Sequence, residues 1–141
     1  MAAGLSIPPQ NFLQFKDAFS EAITKHLNGQ KPALDLLTDG ELEASEITLK
    51  NAELLLQASP WGQGFEEPIF YGDFEILDQK IVGEKHLKCT LKLIDASTIF
   101  EGIAFFQEKL ESKKVRVAYK LNVNSFRGNE SLQLMIESIY Q

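Results

Sequence analysis

KHLKCTLKL, residues 85–93, alternates without a fault. Leu87, Cys89, Leu91 and Leu93 fall on one side of an extended chain, and His86, Lys88, Thr90 and Lys92 on the other. A run with that period is a strand with one face in a core and the other in water. VRVAYKLNV, residues 115–123, repeats it, with Val115, Val117, Tyr119, Leu121 and Val123 inward and Arg116, Ala118, Lys120 and Asn122 outward. Around these two lie three further strand candidates: Phe70 to Leu77, TIFEGIAF at 98–105, and Ser131 to Tyr140. Residues 107–113 read as a short helix.

Five strands with a short helix between the third and fourth is the order of the OB-fold, a small β-barrel. Before the barrel, NFLQFKDAFSEAITKHLN (11–28) spaces Phe12, Phe15, Phe19, Ile23 and Leu27 as one helical stripe, with Asn11 as N-cap and Gly29 as stop. Asp39–Gly40, between Leu34–Leu36–Leu37 and Leu42, signals a hairpin turn. A second helix is expected from about Thr48 to Ala58, capped by Ser45 or Thr48, with Leu49, Ala52, Leu55 and Leu56 on its apolar side. The fold class is therefore mainly β with an α+β lead-in: a five-stranded OB-fold barrel preceded by a helix–hairpin–helix segment. The expected division is 1–60 for the lead-in and 61–141 for the barrel domain.

Composition agrees with a globular chain. The 141 residues are 44% hydrophobic and 24% charged, unlike a disordered chain or a fibre. No apolar run approaches the ~20 residues of a membrane span. The N-terminal MAAGLSIPPQ lacks the basic start and long apolar core of a secretory signal, so a cytoplasmic protein is the expectation. One cysteine excludes a disulfide framework and a thiolate metal cage, and two histidines leave little for zinc.

Charge is uneven. The net charge of −6 argues against a nucleic-acid partner, but residues 1–70 carry all of it, with four Lys/Arg against ten Asp/Glu. Residues 80–127 hold ten cations and five anions. Such asymmetry points to an anionic partner for one half.

Catalytic patterns are missing. The chain has no G-x-S-x-G, no phosphate-binding glycine loop, no H-E-x-x-H and no C-x-x-C. Cys89 falls on the inward face of its strand and reads as a small core residue. The binding signal is stronger. OB-folds take oligonucleotides on the face of strands two and three and on adjoining loops. On strand two that face carries His86, Lys88 and Lys92, preceded by Lys85; cations at every second position can track a phosphate backbone. Arg116 and Lys120 on strand four and Arg127 in the Phe126–Arg127–Gly128–Asn129 turn complete the candidate DNA-binding set. Trp61, Phe105 and Phe126, with Phe106, are the candidates for stacking on bases.

SPWGQGFEEPIF resembles the P-[FW]-G-x-G-x-x-x-P-x-F segment of the RecJ family, bacterial single-strand-specific 5′→3′ DNA exonucleases. IVGEKHLKCTL is similar to that family's second OB strand, and VAYKLNVNSFRGNESLQLMIESI to its last two strands. TDGELEASEITL resembles the hairpin and helix ahead of the OB domain, and MAAGLSI resembles the residues just after the G-G-H motif of a DHHA1 domain. The resemblance implies the C-terminal part of such an enzyme, without its D-H-H catalytic domain. Manganese or magnesium would then belong to that missing domain, with no metal or catalytic residue in this chain. It also implies single-stranded DNA as partner, with Lys85, His86, Lys88 and Arg127 matching, and a role in DNA repair and recombination. Further implied partners are the missing catalytic domain and single-stranded-DNA-binding protein. The acidic first half is unsuited to DNA and is expected to face away from it or to pack on the missing catalytic part. The alternative reading is a protein-interaction module that docks the acidic tail of that protein.

Overall fold

A computed structural model describes residues 4–28, 35–58, 60–83 and 85–141. It contains two compact units, Met1–Leu36 and Leu37–Gln141. Among the described residues no helix is long and apolar enough to cross a membrane.

In the first unit, helix α1 spans Phe12–His26. It is entered through a single 3-10 turn, Pro9–Asn11, whose proline has the right φ for a helix start and no N–H to leave unpaired. Asn11 precedes the helix as the sequence suggested, but its side chain makes no capping bond. Asn28, at φ 50°, turns the chain left-handed after the last bond; the expected stop at Gly29 lies outside the described residues. Phe15 and Phe19 stack at 5.5 Å on the predicted stripe.

The second unit is a closed barrel of five strands in the order β1-β2-β3-β5-β4. The strands are β1 (Phe70–Val82), β2 (His86–Leu93), β3 (Ile99–Ala104), β4 (Lys114–Phe126) and β5 (Asn129–Tyr140). Neighbours are antiparallel except β3 and β5, which close the barrel in parallel through Gly102–Leu134, Ile103–Met135 and Ala104–Ile136. The alternation read from β2 and β4 holds at Leu87, Cys89, Leu91, Val115, Val117, Tyr119 and Leu121, which are all buried, but Ala118, expected outward, is buried as well. Tyr119 meets Phe74 edge-on at 5.7 Å, and Phe74 meets Phe100 likewise at 6.4 Å.

Helix α2, Leu49–Ala58, lies against β4 and contributes Ala52 to the same core as the barrel, joined by Ile47 from the preceding turn. Its cap is Thr48, whose hydroxyl accepts the Asn51 N–H at 3.2 Å. Leu56, expected on the apolar side, is exposed.

Three local expectations change. No strand pairs across Asp39–Gly40 among the described residues. Instead Asp39 accepts the Ile69 N–H on its carboxylate and donates its own N–H to the Ile69 carbonyl, while Gly40 takes the Tyr71 N–H. Glu41 and Tyr71 make a parallel bridge, so this segment runs beside β1. Second, β1 is longer than expected and bulged, because Ile76 pairs with Leu91 but Asp78 with Thr90. Third, residues 105–113 form no helix. Gln79 substitutes for a strand neighbour: its amide donates to the Leu110 carbonyl at 2.8 Å and accepts the Leu110 N–H at 2.9 Å. That clasp seats the Leu110 side chain in the core. Its removal in Gln79→Ala should cost about 2 kcal/mol in denaturant unfolding. In hydrogen exchange the Leu110 amide should then lose protection before the sheet amides do; unchanged Leu110 protection would refute the clasp.

Candidate nucleic-acid interface

Leu77 is the extra residue of the β1 bulge, and it re-phases the rest of the strand. Without it Lys80 would continue the inward series of Phe74 and Ile76. With it Lys80 lies directly opposite Lys88, on the outer face, and Val82 opposite His86. Two like charges facing each other across a ladder destabilise it unless an anion lies between them. Sequence alone counts Lys80 among the cations without assigning it to the site. Only the bulge places it there, and a bulge has no composition signature.

The outer row of β2 is His86, Lys88, Thr90 and Lys92, as predicted. Beside it, β3 turns out Ile99, Glu101 and Ile103. Glu101 holds Lys88 at 2.7 Å and accepts the Thr90 hydroxyl at 3.4 Å. Lys92 stands opposite Glu75 in the β1 register. Lys80, Lys85, His86 and Lys88 gather toward the β1–β2 turn, with Asp78 opposite Thr90 on the same outer row.

That end also carries the aromatics. His86 accepts the Phe106 N–H on Nδ1 at 3.4 Å, and its ring meets Phe105 and Phe106 edge-on at 5.0 and 5.2 Å. Phe106 sits at φ 55° and is 79% exposed, an unfavourable backbone for a bulky residue presenting its ring to water. Lys85, Ile81, Phe106, Gln107 and Glu108 line a shallow hollow there.

Phe126 and Arg127 lie at the other end of the face. Because β3 and β5 are parallel and Ala104 is level with Ile136, the β4–β5 turn lies beyond the Ile99 end of β3. From Asn129 to Ile136 is about 23 Å of strand. Arg127 and Gly128 both have positive φ, as a two-residue hairpin turn requires. The Arg127 guanidinium lies 5.1 Å from the centre of the exposed Phe126 ring.

The other predicted cations are elsewhere and engaged. Arg116 makes a two-pronged bond to Asp73, 2.8 Å on each prong, across the β1–β4 ladder and beside the Tyr71 ring. The guanidinium hydrogen bond holds the Asp73 carboxyl below its ordinary value and raises Arg116 in turn. Lys120 pairs with Glu137 at 3.2 Å and Glu67 at 3.3 Å. Burial pulls its ammonium down, but the bonds and charge of Glu137 and Glu67 outweigh this and leave it above its ordinary value. Both residues are on β4, which β1 separates from β2. Trp61 closes α2: its indole donates to the Leu55 carbonyl at 3.1 Å and its ring stacks on Phe65 at 4.8 Å. The structure thus gathers Lys85, His86, Lys88, Lys92 and Phe105 on one face, with Phe126 and Arg127 at its far end.

Two buried groups take no part. Burial pushes the Cys89 thiol up to about 11, so it is a neutral core residue. Burial also raises the Tyr119 phenol, with Glu41 and Glu46 adding to the effect. Among the described residues, no group of three or more His, Cys, Asp and Glu converges as a metal site would require.

The RecJ OB domain family matches residues 38–138. The Salmonella typhimurium protein named single-stranded-DNA-specific exonuclease RecJ is 42% identical over 99% of this chain, and the Escherichia coli protein of the same name is 40% identical over 99%. The chain spans 25% of the length of each. Among solved structures, RecJ from Thermus thermophilus in complex with Mn2+ superposes with a TM-score of 0.57 at 22% identity, over 98% of this chain and 20% of that one. The same protein in complex with Mg2+ gives 0.55 at 19%, over 96% and 21%. Barrel order and matched residues agree, and the chain belongs to the RecJ OB domain family.

Proposed function

We propose that the barrel grips single-stranded DNA along the outer face of β1, β2 and β3, for a nuclease centre carried elsewhere in a longer protein. The observation that carries this reading is Lys80 standing opposite Lys88 on the outer face, a like-charged pair in which Glu101 compensates Lys88 alone. Lys85 and His86 extend the phosphate track, and Lys92 continues it toward the far end. Phe105 and Phe106 at one end, and Phe126 with Arg127 at the other, offer faces for bases. Such contacts hold a strand without reading its sequence. Arg116 and Lys120 hold the β1–β4–β5 side together, and Trp61 secures α2.

Among the described residues no three His, Cys, Asp or Glu come together as a metal site would require, and in this reading any manganese or magnesium belongs to the rest of a longer protein. Cleavage, its metal and a place in repair and recombination would belong to the whole enzyme that the named relatives represent. The catalytic remainder of that enzyme and a single-stranded-DNA-binding protein are the further partners proposed.

Fluorescence anisotropy of a labelled 20-nucleotide strand tests the reading. Binding should prefer single strand to duplex and weaken with salt, log K falling by about 0.7 per phosphate contact for each unit of log salt. With three to five contacts the slope should be about −2 to −3.5. No binding at low salt, or equal binding to duplex, would overturn it.

A further inference from the structure

Glu101 occupies the middle of the proposed DNA face, and nothing in the barrel requires a carboxylate there. Its neighbours along β3 on the outer side are Ile99 and Ile103, and its side chain is 48% exposed. One oxygen takes the Lys88 ammonium and the other the Thr90 hydroxyl, the partners a strand phosphate would use at that spot. An exposed ion pair of this kind contributes little to folding, because water screens it and two side chains must be held still.

We infer that Glu101 is a built-in stand-in for phosphate, which competes with the DNA backbone for Lys88 and so keeps the middle of the face weak. This rests on the proposed single-strand grip. A strand entering the face must first displace the carboxylate from Lys88, and its phosphates then lie beside a negative charge. The grip is therefore strongest at the Lys80–Lys85–His86 end and weakest at the centre. A module that passes a strand along to a cleavage centre needs such a surface, because a uniformly tight face would hold the strand in one register.

The test is Glu101→Gln in the full 141-residue chain. The amide keeps the side chain's shape and an oxygen for Thr90 and Lys88, but removes the charge. The variant should bind the 20-nucleotide strand about three- to tenfold more tightly. Its salt dependence should steepen by up to about 0.7, since Lys88 then meets the phosphate as a cation with no carboxylate left beside it. Stopped-flow displacement should place most of the gain in slower dissociation. In a Lys88→Met background the same substitution should gain less than about twofold, because the two changes act through one contact. Thermal melting of each variant confirms the fold.

Unchanged or weaker binding by Glu101→Gln overturns the inference, as does an equal gain with and without Lys88. Failure of the parent chain to bind any single strand would instead sink the DNA grip itself, a separate outcome.

Discussion

Gly102→Val is expected to destabilise the barrel by about 3 kcal/mol, lowering its melting temperature by roughly 10–20 °C. Gly102 is buried on the inward side of β3, where that strand passes between β2 and β5. A Cβ there would lie 3.0 Å from Ile136 Cδ1, and 3.1 Å from both Cys89 Sγ and Leu91 Cδ1. These are ends of side chains, so Gly102→Ala asks for shifts of a few tenths of an ångström and should cost under about 1 kcal/mol. Valine adds two methyls that must enter space already filled by buried neighbours. Urea unfolding and thermal circular dichroism of the two variants measure the difference. A valine variant as stable as the alanine one would mean that the barrel wall yields, contrary to the close packing described.

The second large effect separates binding from folding. Lys80→Glu combined with Lys85→Glu should weaken single-strand binding about 100-fold at low salt. Each change removes one phosphate contact and adds a repulsion, so the salt slope should also shrink by about 1.4. Stability should move the other way. A glutamate at position 80 would face Lys88 across the ladder, turning a repulsive cross-strand pair into an attractive one, which is worth about 0.2–1 kcal/mol. Anisotropy and thermal melting on the same samples read both. A variant that binds as well as the parent would remove the Lys80–Lys88 pair from the DNA path, and one that melts markedly lower would show that Lys80 serves the fold.

The strands whose two faces differ were legible in the sequence. β2 and β4 alternate because one side of each fills the barrel, and periodicity reads that directly. What was hidden depends on single extra residues and on partners distant in sequence. Leu77 shifts β1 by one position, and no pattern within Phe70–Val82 announces that Lys80 will share a face with Lys88. Residues 107–113 have the composition of a short helix, but two hydrogen bonds with Gln79, some thirty residues earlier, take up the backbone N–H and carbonyl of Leu110. Asp39–Gly40 looks like a hairpin turn until Ile69 and Tyr71 claim its polar groups. The site divides the same way. Strand alternation correctly put Arg116 and Lys120 outward, but their distance from β2 and their partners Asp73, Glu67 and Glu137 are matters of topology. Phe105 and Phe126, named from the sequence as stacking candidates, are exposed, but no pattern in the sequence separates them from the phenylalanines that fill the core.

The order β1-β2-β3-β5-β4 makes the fifth strand the keystone of an arch. β5 is the last of the five to be made, yet it sits between β3 and β4, antiparallel to β4 and parallel to β3. Until Asn129–Tyr140 has left the ribosome, the first four strands can form only an open ribbon with β3 and β4 as its two bare edges. Closure then joins β3 to β5 across some thirty residues, a slow long-range step during which those edges can capture another chain. A nonsense or frameshift lesion that removed Asn129–Tyr140 would thus do more than shorten the protein. It would leave a sheet with two sticky borders, and a cell would meet it as a substrate for chaperones and proteases.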